Sequence, residues 1–101
     1  MTEIDNFESQ RIDSWLWHAR FFKTRSLCAR FVEQGHIRHN GIATNKPSKR
    51  LHIGDVLTIP TNQTVRVIKI TGFAEHRVSA SKATQLYNEI NEKYSRNKEI
   101  L

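Results

Sequence analysis

Residues 11–41 read RIDSWLWHARFFKTRSLCARFVEQGHIRHNG, and this stretch decides the fold because its hydrophobic period changes part-way along it. Starting at Ile12, apolar residues recur at the i, i+4 and i+7 spacing of an amphipathic helix. This spacing predicts a first helix that begins near residues 11–13 and runs to about Phe22.

A second helix is predicted after a short break. Thr24 has the side chain of a good N-cap, and Gly35 suits the left-handed residue that commonly ends a helix. Between them, the apolar residues that we expect to point inward are Leu27, Cys28, Phe31 and Val32. The two short helices are therefore predicted to form a helical hairpin with basic side chains at its corner.

The sequence after Gly35 favours β-strands. Asn40-Gly41, between the short runs 36–39 and 42–44, is the strongest local signal for a type I′ hairpin turn. Gly54-Asp55 marks another turn, and the runs 56–59 and 65–70 are rich in β-branched residues. We expect these runs to form a small, mostly antiparallel sheet.

Helical spacing returns near the end of the chain, where it predicts a C-terminal helix over residues 80–94, capped by Ser79 or Ser81. The fold class is thus α+β, a helical hairpin packed on a small, mostly antiparallel sheet with a C-terminal helix. We expect a flexible acidic N-terminus (1–10), a binding domain with an additional strand (11–72) and a C-terminal helical extension (73–101).

Length and composition exclude several classes of protein. The 101 residues make one ordinary domain, and 38% hydrophobic residues can fill one small core. No apolar run approaches the roughly 18–20 residues that span a bilayer. The acidic, polar N-terminus resembles neither a secretory signal nor a basic transit peptide, and the single Cys28 suits a reducing compartment. We therefore expect a cytoplasmic protein without a membrane segment.

The distribution of charge predicts a polyanionic partner. Residues 11–52 carry nine basic side chains and two acidic ones, whereas residues 53–101 carry seven basic and five acidic ones. A basic half-domain beside an ordinary one is the expected electrostatic footprint of a nucleic-acid binder. The alternative is a solvated surface that keeps the protein soluble.

The sequence gives little support to metal binding or catalysis. Cys28, His36 and His39 fall short of the four suitably spaced ligands of a structural zinc site, and the two histidines fall on opposite faces of a predicted strand. We interpret Cys28 as a small buried residue. No nucleophile elbow or glycine-rich phosphate loop frames the Ser, His and Asp residues. We expect neither an enzyme nor a cofactor.

The basic residues of the first half converge around the predicted helical hairpin. They open the first helix, lie in the break between the helices or along the second helix, or lie on a loop that can fold beside them; they are Arg11, Lys23, Arg25, Arg30, Lys46, Lys49 and Arg50. Trp17 and Phe21 lie on a second face of the first helix. We favour packing for Phe21 and leave Trp17 open between packing and stacking on an unpaired base.

These motifs resemble the S4-like RNA-binding domain over residues 11–59. The resemblance is carried by the runs 11–17, 21–27 and 35–41, continued by Lys46-Pro47-Ser48 and the run 54–57. The Trp-Leu-Trp and Phe-Phe-Lys-Thr-Arg-Ser stretches are similar, more narrowly, to the subfamily of ribosome-associated heat-shock proteins of fifteen kilodaltons. His39 and Ala43 depart from the aliphatic residues that would be easier to explain in the hairpin.

The resemblance implies the S4-like αL motif, a helical hairpin against a small sheet, in which the helices and the basic loop of residues 46–50 bind RNA. It places the RNA contacts among Arg11, Lys23, Thr24, Arg25, Ser26, Arg30, Arg38, Lys46, Lys49 and Arg50. It places Ile12, Leu16, Leu27, Val32, Ile37 and Leu57 in the core. The implied partners are the large ribosomal subunit with its ribosomal RNA and peptidyl-transfer RNA, and the implied role is recycling or rescue of blocked subunits. Nothing in the sequence demands more than a monomer.

Two other functions stay open on the sequence. The chain could direct a separate RNA-modifying enzyme to its substrate, because S4-like domains are often attached to such enzymes. It could instead bind another protein through the face of Trp17 and Phe21, with its basic charge incidental. High salt separates these alternatives, because it weakens an RNA complex more than an apolar protein complex.

Overall fold

The computed structural model describes residues 9–62 and 64–90 and has the predicted α+β architecture. In chain order the elements are β1 (Gln10–Arg11), α1 (Ile12–His18), α2 (Arg25–Glu33), β2 (Ile37–His39), β3 (Ile42–Thr44), β4 (Arg50–Leu51), β5 (Val56–Pro60), β6 (Val65–Ile70), α3 (Ala80–Ala83) and β7 (Tyr87–Glu89). Within the described residues, no helix is long and apolar enough to cross a membrane.

The sheet is antiparallel and has five strands in the order β3-β2-β5-β6-β7. A separate pair, β1 and β4, joins the start of α1 to the basic loop. The β2–β3 hairpin has the predicted turn, with Asn40 at φ 52° and Gly41 at φ 84°, the left-handed values that a type I′ turn requires at both central residues.

The second helix is confirmed at both ends. The Thr24 hydroxyl accepts a hydrogen bond from the Leu27 N–H (3.1 Å), as an N-cap does. After Glu33 the chain leaves the helix through Gly35, whose φ is 80°. A glycine reaches this left-handed conformation without the steric cost that a Cβ atom adds.

The first helix is shorter than predicted, because it ends at His18 rather than near Phe22. Arg20 has φ 64°, and its guanidinium donates to the Val78 carbonyl oxygen (2.8 Å). A left-handed residue after the last turn stops the helical hydrogen bonding. The chain therefore leaves the helix after Ala19, although its apolar spacing continues to Phe22. Phe21 packs against the core as predicted.

The predicted C-terminal helix begins at Ala80, with Ser79 as its cap, but it ends at Ala83. The prediction of helix beyond that residue is wrong for Tyr87–Glu89, which pair with β6 as strand β7. This pairing satisfies backbone groups along the edge of β6 that would otherwise need other partners, and it outweighs the weak preference for a helix. Residues 91–94 of that prediction lie outside the described residues, as do residues 1–8 of the predicted flexible N-terminus.

The core lies between the helical hairpin and the sheet. Its buried residues include Ile12, Leu16, Val32, Ile37 and Leu57, all at 0% exposure and all predicted to be there. The prediction for Leu27 is wrong: 41% of this side chain is exposed, because it lies in the first turn of α2 on the face away from the sheet. Cys28, the next residue, takes the buried position instead.

Leu16 and Leu27 therefore give contrasting predictions for stability. Leu16→Ala is expected to lower the free energy of unfolding by about 2–5 kcal/mol, because it removes fully buried methyl groups and leaves a cavity. Leu27→Ala is expected to change it by less than about 1 kcal/mol, because much of the side chain is already in water. Urea unfolding followed by circular dichroism measures both, and equal losses would contradict the placement of Leu27.

A hydrogen-bond network around Asp55 fixes the turn beside the β2–β3 hairpin. Its carboxylate bonds to His39 Nε2 (2.6 Å), the His52 N–H (2.9 Å) and the Asn40 amide (3.3 Å). Burial raises the pKa of Asp55, but these hydrogen bonds lower it by more, so the net pKa is below its usual value. The network explains why a histidine at position 39 fits the hairpin.

The lowered pKa of Asp55 predicts how this network depends on pH. The ionised carboxylate stabilises the fold above its unfolded pKa of about 4, and that stabilisation is lost as the pH falls through the lower folded value. Asp55→Asn is expected to cost about 1–3 kcal/mol at pH 7, and this difference from the native chain is expected to shrink below pH 4. Urea unfolding between pH 7 and pH 3 measures the difference. Glu33→Gln, at an exposed carboxylate of α2, is the control; a cost for Asp55→Asn that does not change with pH would contradict the argument.

Candidate nucleic-acid interface

Three arginines that are far apart in the sequence line one cleft of about 340 Å³. Arg11 comes from β1, Arg25 from the start of α2 and Arg50 from β4. We call this site the arginine cleft. Its other lining residues are Ser9, Gln10, Ser14, His18 and Glu75.

Arg11 and Arg50 are held side by side because β1 and β4 pair with these two residues directly opposite each other. Arg11 donates through Nε and Nη2 to the carboxylate of Asp13 (3.0 and 2.9 Å). Arg50 donates to the Ser9 hydroxyl and carbonyl oxygens (3.0 and 3.1 Å). Like charges directly opposite each other in a strand pair are destabilising, so this register costs stability that an anionic ligand would restore.

Arg25 reaches the cleft from the other helix. Its Nη2 donates to the hydroxyl of Ser14, which is nearly buried in α1 (2.8 Å). The bond joins the two helices of the hairpin and directs the guanidinium toward Arg11 and Arg50. The carboxylate of the exposed Glu75 also lines the cleft, so the lining is basic but carries one negative charge.

His18 lies in the wall of the cleft and is only 6% exposed. Its Nδ1 is buried without a hydrogen-bond partner. Burial lowers the pKa of His18, the nearby charges of Arg25 and His76 lower it further, and a hydrogen bond with the Ala74 backbone opposes them. The ring is therefore neutral at pH 7, and the positive charge of the cleft comes from its arginines.

The basic loop, residues 46–50, is fixed to the beginning of α1. The carbonyl oxygens of Lys49 and Pro47 accept hydrogen bonds from the N–H groups of Ile12 (2.8 Å) and Asp13 (3.3 Å). These bonds satisfy two of the free N–H groups that every helix has in its first turn. The loop therefore folds beside the helical hairpin as predicted, and it carries the exposed Lys46 and Lys49. Lys49 lines a separate cavity together with residues of the β2–β3 hairpin.

The ten predicted contact residues are all exposed, but they do not form one patch. Lys23, Thr24 and Ser26 flank Arg25 in the chain, at the corner of the helical hairpin. Arg30 lies elsewhere on α2, in a shallow pocket with Phe22 and Leu27. Arg38 lies on β2 and donates to the Gly41 carbonyl oxygen (3.2 Å). Arg30 and Arg38 are therefore separate from the arginine cleft.

Trp17 is half-buried and packs against the core, with the guanidinium of Arg77 5.8 Å from its ring centroid. Arg77 also donates to the carbonyl oxygens of Trp17 (3.2 Å) and Phe22 (3.1 Å). These contacts give Trp17 a structural role. Stacking of Trp17 on an unpaired base stays a prediction.

Sequence reasoning missed several cleft residues, chiefly Ser14 and His18. A signal for them was present, because they follow Arg11 at i+3 and i+7, the spacing of one helical face. Ser9, Gln10 and Glu75 gave no such signal, because the long-range pairing of β1 and the return of the chain near residue 75 bring them in.

No group of three or more His, Cys, Asp or Glu side chains within residues 9–62 and 64–90 could hold a metal ion. Cys28 is buried as predicted, and burial raises the pKa of its thiol to about 12. A thiol in this state is a poor nucleophile at neutral pH.

The segment that contains most of the cleft matches a known domain family. The family model of the S4 domain matches residues 10–57. The chain is 39% identical to heat shock protein 15 of Escherichia coli K12 over 79 residues, a stretch that covers 78% of this chain and 59% of that protein. It is 34% identical to the heat shock protein 15 homolog of Haemophilus influenzae over 90 residues, a stretch that covers 89% of this chain and 68% of that protein. The chain belongs to the heat shock protein 15 family.

Membership of the heat shock protein 15 family agrees with the fold. A trimeric structure of heat shock protein 15 from Vibrio cholerae matches with a TM-score of 0.81 at 38% identity, over 91% of this chain and 92% of that one. A shorter match, 40% over 50 residues, is to the small ribosomal subunit protein uS4 of Erythrobacter litoralis, of which it covers 24%. The resemblance drawn from the sequence motifs is thus confirmed, although the chain spans only 59% of the Escherichia coli relative.

Proposed function

We propose that this chain binds structured ribosomal RNA through the arginine cleft and the adjoining basic loop, without catalysing a reaction. The observation that carries the proposal is the convergence of Arg11, Arg25 and Arg50, from two strands and a helix, on one cleft. Arg25 and Arg50 donate to uncharged oxygen atoms, so their positive charge is available to phosphate groups.

The mechanism of binding would be neutralisation of phosphates together with recognition of shape. Base edges in the deep, narrow major groove of A-form RNA are out of reach of side chains, so duplex RNA is recognised mainly by its backbone. The hydrogen bonds of Arg25 to Ser14 and of Arg50 to Ser9 hold the guanidinium groups in place before RNA arrives. Pre-organisation of this kind reduces the entropy that binding costs.

Two findings support ribosomal RNA as the partner: the S4 domain model matches residues 10–57, and a 50-residue stretch of the chain is 40% identical to a small ribosomal subunit protein. We propose more narrowly that the chain acts in the cytoplasm on large subunits that still hold peptidyl-transfer RNA, and that it assists their recycling or rescue. Membership of the heat shock protein 15 family supports this setting, which is also the one that the resemblance of the sequence motifs implies.

Co-sedimentation with purified large ribosomal subunits tests the function. The chain is mixed with subunits that are empty or loaded with peptidyl-transfer RNA, over a series of salt concentrations. We expect binding that falls steeply with salt, because phosphate contacts release counterions, and that prefers loaded subunits. Equal binding to both kinds of subunit would contradict the rescue role. Absence of binding to either at low salt would contradict the function itself.

We propose that the free chain is a monomer, which its formal net charge of +6 favours through repulsion between copies. The solved relative from Vibrio cholerae is described as trimeric. Sedimentation velocity over a range of protein concentrations distinguishes the two states, and a trimer at physiological salt would contradict the proposal.

A further inference from the structure

A second cavity, of about 510 Å³, lies apart from the arginine cleft and shares no lining residue with it. Four aromatic rings line it, those of Phe21, Phe22, Phe31 and His36, together with the segment 59–62 and Arg66. We call it the aromatic pocket. Its size is within the range of about 300–1,000 Å³ that is typical of pockets for small organic groups.

The rings of the aromatic pocket are tilted against one another, by 43° between Phe22 and Phe31 and by 53° between Phe31 and His36. The Phe22 and Phe31 centroids are 5.0 Å apart, and the Phe31 and His36 centroids are 5.8 Å apart. The Arg66 guanidinium lies over the Phe21 ring, 4.8 Å from its centroid. Phe21 also stacks on Trp15, so the ring faces that stay partly accessible are those of the half-buried Phe22 and Phe31 and of the exposed His36.

The charge of the pocket favours a neutral ligand. Arg66 donates to both carboxylate oxygens of Glu89 (2.6 and 3.2 Å), and this bidentate pair raises the pKa of the guanidinium. Because Glu89 compensates its charge, Arg66 offers mainly the flat face of its guanidinium. At the rim, the exposed Asn62 carries an amide that can both donate and accept hydrogen bonds. Flat apolar faces with a donor and an acceptor at the edge match a nucleobase.

The aromatic pocket and the arginine cleft are lined by residues that are close to each other in the chain. Phe22 lines the pocket and Arg25 lines the cleft, and only Lys23 and Thr24 lie between them. Three Cα-to-Cα steps keep the backbones of Phe22 and Arg25 within about 11 Å of each other. The exposed Lys23 lies on this path and can neutralise a phosphate between the two sites.

We propose that the aromatic pocket binds an unpaired nucleobase of the RNA whose phosphates lie on the arginine cleft. The inference rests on the RNA-binding function proposed above and adds a single-stranded element to it. Proteins recognise single-stranded RNA by stacking splayed bases on aromatic rings and on guanidinium planes, and this pocket has both.

Two fluorescein-labelled RNA probes test the proposal by fluorescence anisotropy. Both are the same hairpin with a short single-stranded 3′ extension, made of adenosines in one and of abasic ribose phosphates in the other. Because the phosphates are identical, only the bases differ. We expect the adenosine probe to bind about tenfold more tightly, which is within the range for stacking one base on an aromatic ring. Phe31→Leu is expected to abolish most of that preference and to leave binding of the abasic probe unchanged.

Phe73→Leu is the matched control, because Phe73 is a half-buried phenylalanine that packs on the core but does not line the pocket. It is expected to keep the preference for adenosine. Should Phe31→Leu fail to fold, photocrosslinking of the native chain to the same extension carrying 4-thiouridine takes its place, and crosslinks on Phe22, Phe31 or His36 would support the pocket. Equal binding of the two probes by the native chain would overturn it. Failure of both probes to bind would instead contradict the arginine cleft.

Discussion

Replacing Arg25 and Arg50 together by glutamine is expected to weaken binding to structured RNA by roughly 10- to 100-fold at physiological salt, because neither glutamine can form a charge-assisted hydrogen bond to phosphate. The slope of log affinity against log salt concentration is expected to fall by about 2, or about 1 for each phosphate that is no longer neutralised. Fluorescence anisotropy with a labelled ribosomal RNA hairpin over a salt series measures both quantities.

The same double variant is expected to keep the stability of the native chain to within about 1 kcal/mol. Both side chains are exposed, and the stabilising interactions that the variant removes are the hydrogen bonds to Ser14 and Ser9. Removal of Arg50 also relieves the repulsion between two arginines that face each other across the β1–β4 pair. Unchanged thermal melting would show that the weaker binding comes from the cleft and not from unfolding.

Lys69→Gln with Lys82→Gln provides the matched control for charge. Both lysines are exposed, they lie on β6 and α3 outside the arginine cleft, and their replacement removes the same net charge. Only a small, sequence-independent decrease in affinity is expected from this control. Equal decreases in the two double variants would contradict a localised site and favour binding through overall charge.

Local signals in the sequence were sufficient for α2 and for the β2–β3 hairpin. A capping threonine, a glycine after the helix and an Asn-Gly turn each restrict the backbone within a few residues, and each is found as predicted. The end of α1 had no such signal, because Arg20 adopts the left-handed conformation although it has a Cβ atom. Its hydrogen bond to Val78, which is distant in sequence, goes with that conformation.

The arginine cleft could be predicted only in part for the same reason. Charge patterning pointed to the correct half of the chain, but β1 and β4 have two residues each, too short for any periodicity to reveal. Their pairing brings Arg11 beside Arg50. Strand β7 shows the opposite situation. Its residues have the apolar spacing of a helix, but pairing with the edge of β6 makes them a strand.

The largest expected effect on stability is that of Trp15→Ala. Trp15 is fully buried, its ring stacks on Phe21 (5.7 Å between centroids) and meets Tyr87 edge-on (6.2 Å), and its Nε1 donates to the Gly72 carbonyl oxygen (2.9 Å). The ring thus joins the helical hairpin to the chain after β6. Loss of a buried tryptophan costs about 3–5 kcal/mol, a large share of the roughly 5–15 kcal/mol that stabilises a typical domain. Urea unfolding followed by far-ultraviolet circular dichroism measures the change.

Two further variants separate the contributions of Trp15. Trp15→Phe keeps an aromatic ring but leaves the Gly72 carbonyl oxygen without its donor, so it is expected to cost about 1–3 kcal/mol. Trp17→Ala removes the same type of side chain two positions away, from a half-buried site, and is expected to cost clearly less than Trp15→Ala. If Trp17→Ala proved the more damaging, the core would be centred on the other face of α1. A destabilisation by Trp15→Phe as large as that by Trp15→Ala would mean that the hydrogen bond to Gly72, rather than burial of the ring, holds the two parts of the fold together.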